Sequence, residues 1–129
     1  MSALRFKHIF ASLTLVTSVS LSSLALAHAH LESQLPVADS TVTAPKELRL
    51  SFSEGIEEKF TKVSITSTAP SGKTMVEAVP DIATDPADNK TLIVTPVAPL
   101  AAGQYKIEWH AVSVDTHKSE GSYSFTVSP

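Results

Sequence analysis

The feature that most constrains the fold of this chain is a strict alternation of apolar and polar residues in short segments. In residues 104–109 the apolar side chains are Tyr105, Ile107 and Trp109, and the residues between them are polar. Successive side chains of a β-strand point to opposite faces of a sheet. A period of two therefore predicts a strand with one buried face, and that face carries these three residues.

The same pattern recurs in segments separated by proline, glycine and aspartate. We predict a short extended piece at residues 31–36 and strands at 47–53, 62–68, 73–79, 91–95, 105–109 and 121–127. Residues 37–45 and 80–90 are rich in turn-forming residues and are predicted as loops. About seven short strands joined by turns predict an all-β fold, an immunoglobulin-like Greek-key β-sandwich or barrel.

Two local patterns concern the strand that contains Trp109. The spacing L-x-x-G-x-Y that ends at Tyr105 resembles the tyrosine corner of Greek-key sandwiches, in which the hydroxyl bonds to upstream backbone. Beyond Trp109 the apolar positions change from odd to even numbers, at Val112 and Val114. This change predicts a break or bulge in the strand near residues 110–112.

The first part of the chain has the layout of a secretory signal. Two basic residues precede an uncharged stretch of apolar, serine and threonine residues at 9–24, and Ala25-Leu26-Ala27 follows with the small residues of a cleavage site. The stretch is shorter than the roughly 20 apolar residues of a retained anchor helix. We therefore predict a cleaved signal at 1–27 and a secreted domain at 28–129.

Composition excludes several classes of function. Cleavage would remove two of the 10 basic residues and none of the 13 acidic ones, which changes the net charge from −3 to −5. An acidic domain is a poor binder of nucleic acid. The chain has no cysteine, which excludes thiolate zinc sites, thiol catalysis and iron–sulfur clusters. No glycine-rich phosphate loop and no G-x-S-x-G nucleophile motif is present.

Histidine and aspartate near the two ends of the domain could hold a metal ion. His28 would be the first residue after cleavage, so its α-amine and its ring nitrogen could chelate one ion. Asp115 and His117 lie two residues apart, and an extended backbone would direct both to the same side. Three nitrogens and one carboxylate oxygen suit tetragonal Cu(II).

A second metal-binding mode needs only the terminal tripeptide His28-Ala29-His30. A free amine, two backbone amide nitrogens and the imidazole of a third residue can surround Cu(II) or Ni(II) in a plane, and His30 occupies that third position. The two modes share one amine and exclude each other for a single ion. His110 is predicted to face outward as an accessory at most, next to the buried Trp109.

Four segments resemble the CopC family of periplasmic copper-binding and copper-resistance proteins, and its YobA-like branch in particular. They are the His-Ala-His-Leu that starts at residue 28, L-S-F-S-E-G at 50–55, L-x-x-G-x-Y at 100–105, and W-H-A-V-S-V-D-T-H at 109–117. They occur in order and extend the resemblance over residues 28–127.

The resemblance implies an immunoglobulin-like fold with one Cu(II) per chain, bound by His28, Asp115 and His117. It implies a non-enzymatic periplasmic protein that buffers, sequesters or delivers copper, with the copper ion itself and an inner-membrane CopD-type transporter as partners, and with no small-molecule substrate or nucleic acid. Some members also hold Cu(I) in a methionine-rich segment, whereas here Met75 stands alone in the mature chain.

Two other functions remain open at this stage. One is a copper monooxygenase with a histidine brace, since such enzymes also begin with histidine on a β-sandwich. The small size and few aromatic residues of this chain disfavour it. The other is an immunoglobulin-like interaction module with an incidental copper-binding peptide at its N-terminus.

Overall fold

The computed structural model describes residues 29–129, so the predicted signal at 1–27 and His28 lie outside the described residues. The described chain forms nine strands and one 3-10 helix, η1 (Glu58–Phe60). The strands are β1 (Leu31–Leu35), β2 (Thr41–Val42), β3 (Leu48–Phe52), β4 (Lys62–Thr68), β5 (Thr74–Val76), β6 (Asp81–Thr84), β7 (Thr91–Thr95), β8 (Gly103–Val112) and β9 (Lys118–Val127). Within residues 29–129, no helix is long and apolar enough to cross a membrane.

The strands form two sheets that enclose one core. One sheet has the order β1-β3-β7-β6 and the other β2-β9-β8-β4-β5. All pairs are antiparallel except β2 with β9. The described chain passes from one sheet to the other five times: between β1 and β2, β2 and β3, β3 and β4, β5 and β6, and β7 and β8. The predicted all-β, immunoglobulin-like sandwich is confirmed, with nine strands in the described part rather than about seven.

The alternation in the sequence is the alternation of burial in the structure. In β3 the buried side chains are Leu48, Leu50 and Phe52. In β8 every second side chain from Tyr105 to Trp109 is buried. The Trp109 ring packs edge-on against Phe52 of the opposite sheet, with ring centroids 5.1 Å apart and planes at 82°. Burial of each such side chain contributes about 1.5–3 kcal/mol, so the core can hold the fold together without disulfides.

The loop prediction for residues 80–90 is wrong at its start, where Asp81–Thr84 forms β6 and pairs with β7. Ile82 packs against the core, while the residues on either side of it are exposed, as expected for an edge strand. This alternation is short and lies between proline and aspartate residues, which in a sequence indicate a loop. The two residues of β2 were likewise expected to be loop.

The predicted bulge near residues 110–112 is also wrong. The β8–β9 ladder runs without interruption from Gly103 paired with Val127 to Val112 paired with Lys118. Odd-numbered positions stay inside, because Ala111 fills the next inward place after Trp109. The apolar side chain of Val114 is exposed instead of starting a new buried face.

The tyrosine corner is confirmed. The hydroxyl of the buried Tyr105 donates to the carbonyl oxygen of Ala101, at 2.6 Å, four residues upstream. This bond holds the connection from β7 against the start of β8. It therefore fixes the start of β8, at the opposite end of the strand from Asp115 and His117.

Candidate metal centre

Asp115 and His117 lie in a tight loop, residues 113–117, that joins β8 to β9. The backbone of this loop is not extended, contrary to the expectation from the sequence. Thr116 has φ 74°, and its amide donates to the carbonyl of Ser113 at 2.8 Å. The Ser113 amide in turn donates to the carbonyl of His117 at 2.9 Å. The turn, and not a shared strand face, brings the two side chains together.

Ser113 organises this loop from the inside. Its side chain has no exposed surface, and its hydroxyl donates to Oδ1 of Asp115 while lying 3.2 Å from the His117 carbonyl oxygen. The same Asp115 oxygen accepts the His117 amide at 3.2 Å. Serine and aspartate side chains often stabilise turns through such local bonds to nearby backbone. The result is a carboxylate held in one orientation at the end of the sandwich.

The Asp115 carboxylate and the His117 ring are in direct contact. Nδ1 of His117 lies 3.0 Å from Oδ2 of Asp115, and both side chains are partly exposed to solvent. The bonds from the Ser113 hydroxyl and from His117 lower the pKa of Asp115 from 3.8 to about 2. Asp115 is therefore an anion near neutral pH and can only accept, which makes Nδ1 of His117 the donor.

The N-terminal end of the described chain is anchored to the core. Ala29 is 1 % exposed and belongs to the hydrophobic cluster. The backbone of His30 is bound to Ser53 twice: its amide donates to Ser53 Oγ at 3.0 Å, and its carbonyl accepts the Ser53 amide at 2.9 Å. The His30 ring is directed to solvent, with Nε2 4.0 Å from Oε1 of Glu32.

The segment that follows β3 links this anchored end to the loop. Ser53 binds His30, and two residues later the Gly55 carbonyl accepts the amide of Val114, next to Asp115, at 2.9 Å. Ile56 forms a bridge with Ser113. Two residues of chain span at most about 7 Å. The N-terminal segment and the loop that carries Asp115 and His117 are thus both attached to one short stretch of backbone.

Within residues 29–129, no three His, Asp or Glu side chains are close enough together to hold a metal ion. Asp115 and His117 supply two donors, and His28, the third residue that the sequence indicates, lies outside the described residues. His30 and His110 are not brought into a cluster with them. His110 faces outward, as predicted, and its Nδ1 lies 3.1 Å from Oε2 of Glu120 on β9.

Comparison with known proteins decides which family this arrangement belongs to. Residues 31–128 match the CopC domain. Copper resistance protein C of Escherichia coli is 42% identical over 115 residues, which cover 88% of this chain and 90% of that protein. Protein YobA of Escherichia coli K12 is 38% identical over 117 residues, with 90% and 91% coverage. The chain belongs to the CopC family.

Solved structures of CopC proteins have the same fold. The crystal structure of PcoC, a methionine-rich copper resistance protein from Escherichia coli, gives a TM-score of 0.71 at 43% identity, over 78% of this chain and 99% of that one. CopC from Methylosinus trichosporium OB3b gives a TM-score of 0.68 at 30% identity, with 79% and 95% coverage. The resemblance seen in the sequence motifs is confirmed.

Two residues that shape this candidate centre are not indicated as such by the sequence. Ser113 and Ser53 each appear only as letters of a motif, S-x-D-x-H and L-x-F-S-E. The spacing of Ser113, two residues before an aspartate, is a usable signal because it suits a side-chain-stabilised turn. For Ser53 the sequence offers none, because its partner His30 is 23 residues away.

Proposed function

We propose that this CopC-family protein binds one Cu(II) ion per chain and serves to buffer, sequester or deliver copper. The conclusion rests on one observation above all: a tight loop holds an ionised carboxylate and an imidazole in contact, beside the anchored N-terminal segment. Its relatives carry the name copper resistance protein, which supports copper as the ion. Imidazole nitrogen and carboxylate oxygen are donors that Cu(II) accepts.

The proposed ligands are His28, through its α-amine and ring, His117 and Asp115. His28 is bonded directly to Ala29, whose burial restricts where the preceding residue can lie. The His117 ring would supply a further nitrogen, and its contact with Asp115, 3.0 Å from Nδ1 to Oδ2, holds the two proposed ligands side by side. A carboxylate has about four lone-pair sites. Asp115 can therefore accept Ser113 and His117 and still offer an oxygen to copper.

We further propose that the chain acts in the periplasm after removal of residues 1–27, without catalysing a reaction. Copper would be the cargo of the protein, received from or passed to an inner-membrane partner of the CopD type. This role makes the site conditional on proteolysis, because the α-amine of His28 does not exist before cleavage. The layout of residues 1–27 supports the proposal.

A set of alanine variants tests the folded site against the terminal tripeptide. Cu(II) titration of the secreted protein should show that Asp115→Ala and His117→Ala each weaken binding by about 10–100-fold or more, the range for lost support of a metal ligand. His30→Ala should leave the affinity unchanged. His110→Ala is the matched control, since it removes an exposed imidazole paired with Glu120.

The opposite pattern would contradict the proposal. If His30→Ala abolished binding while the Asp115 and His117 variants bound normally, copper would be held by the terminal peptide alone. The folded domain would then be an interaction module with an incidental metal site.

A further inference from the structure

The terminal tripeptide offers Cu(II) a four-nitrogen plane, and the fold determines whether this plane can form. Such a plane needs the amide nitrogens of both Ala29 and His30, each of which must lose its hydrogen to solvent and turn toward the ion. It also needs a ring nitrogen of His30 to face the same ion. An unfolded peptide meets these conditions freely. The folded chain has to release whatever holds these two residues.

The structure holds both residues in place. Ala29 is buried in the core cluster, so turning its amide toward an outside ion means pulling its methyl group out. The His30 amide points its hydrogen at Ser53 Oγ, 3.0 Å away, and the His30 carbonyl accepts the Ser53 amide at 2.9 Å. The His30 ring is 71% exposed, and its Nε2 lies 4.0 Å from Oε1 of Glu32. The backbone, and not the ring, is therefore what the fold restrains.

We propose that Ser53 is a positioning residue which, together with buried Ala29, blocks the four-nitrogen tripeptide mode and directs Cu(II) to the site with Asp115 and His117. The proposal rests on the proposed function. Ser53 acts through the His30 backbone and need not touch the metal. Because the two modes compete for the amine of His28, a restraint on the His30 amide changes how copper is distributed between them.

The experiment follows the coordination of one equivalent of Cu(II) in the secreted protein, with its N-terminal His28 verified by mass spectrometry. Electron paramagnetic resonance counts the coordinated nitrogens, and a four-nitrogen plane moves the visible absorption band to higher energy. We expect Ser53→Ala to increase the four-nitrogen fraction by roughly two- to tenfold, the change that corresponds to one lost hydrogen bond. Ser53→Thr, which keeps a hydroxyl, should restore the wild-type spectrum.

Two controls separate this effect from a general loss of structure. Ser51→Ala removes a hydroxyl two residues earlier, in β3, where it pairs with Thr91, and should leave the spectrum unchanged. Ser53→Ala combined with His30→Ala should lose the four-nitrogen signal again. In the copper-free protein, hydrogen exchange at the His30 amide should be slow in the wild type and fast in Ser53→Ala.

The outcomes distinguish failure of this proposal from failure of the proposed function. If the wild type gives the spectrum of the folded site and Ser53→Ala gives the same spectrum, only the proposed role of Ser53 is overturned. Fast exchange of the wild-type His30 amide would overturn it as well, even if Ser53→Ala did not fold. A wild-type spectrum that is already four-nitrogen and depends on His30 would overturn the proposed function itself.

Discussion

Gly121 is the position where the packing between β8 and β9, the strands that flank the loop with Asp115 and His117, can be tested most sharply. It lies on β9 opposite Trp109 of β8, and a β-carbon placed there would lie 2.5 Å from Cζ2 and 2.9 Å from Cε2 of the indole ring. Real β-carbons keep a greater distance from ring carbons, so Gly121→Ala forces the indole to move. The ring is buried and fixed edge-on against Phe52, which leaves little freedom to yield.

The expected cost follows from overpacking a closed core. An extra methyl group in a well-packed interior destabilises by about 1–3 kcal/mol. In a domain of roughly 100 residues each kcal/mol lowers the midpoint of thermal unfolding, Tm, by about 4–8 °C. Trp109 is the single tryptophan of the chain, so its fluorescence reports the site of the change directly during urea or thermal unfolding.

Ser122→Ala is the matched control, because Ser122 neighbours Gly121 on the same strand but faces solvent. It should change the stability by less than about 0.5 kcal/mol. Gly121→Ala with the stability and the indole emission of the wild type would show that the ring does not pack on this glycine. The account of how β8 and β9 are held together would then be wrong.

Two further predictions concern the tyrosine corner and the loop aspartate. Tyr105→Phe removes the bond to the Ala101 carbonyl and should lower the free energy of unfolding by about 0.5–1.5 kcal/mol in urea, while Cu(II) affinity stays unchanged. A large loss of affinity would show that the tyrosine corner acts on the loop with Asp115 and His117. In the copper-free protein, carboxyl carbon shifts measured by NMR should give Asp115 a pKa of about 2, and Ser113→Ala should raise this pKa toward 3.8. Because the folded-state pKa is lowered, the stabilisation from the Asp115 carboxylate is present above about pH 4 and is lost as the pH falls toward 2; a midpoint at the ordinary value in the wild type would contradict the bond to Ser113.

The fold follows from the sequence where burial alternates without competing signals. Strands such as β4 and β7 are bounded by turns and carry apolar residues on one face, so local pattern and tertiary burial agree. The contact of β6 with the core depends largely on Ile82 at the edge of a sheet. In the sequence the surrounding polar residues indicate a loop more strongly than this one apolar residue indicates a strand. Val114 is exposed. The change from odd to even apolar positions therefore marks the start of the loop, and not a change in which face of the strand is buried.

The geometry of the candidate site could not be predicted from the sequence. The spacing of Asp115 and His117 indicates a pair of ligands, yet their contact depends on the left-handed backbone of Thr116 and on the buried Ser113 hydroxyl. Both are properties of the folded loop. The anchoring of His30 on Ser53 joins positions 23 residues apart, and no local rule relates them.

The central claim is that copper binding depends on the free amine of His28 together with Asp115 and His117. A variant secreted with one additional alanine before His28 keeps every described contact and removes that amine from His28. Its Cu(II) affinity should fall by orders of magnitude relative to the wild type, while the thermal stability of the copper-free protein stays the same. An unchanged affinity in this extended protein would contradict the claim.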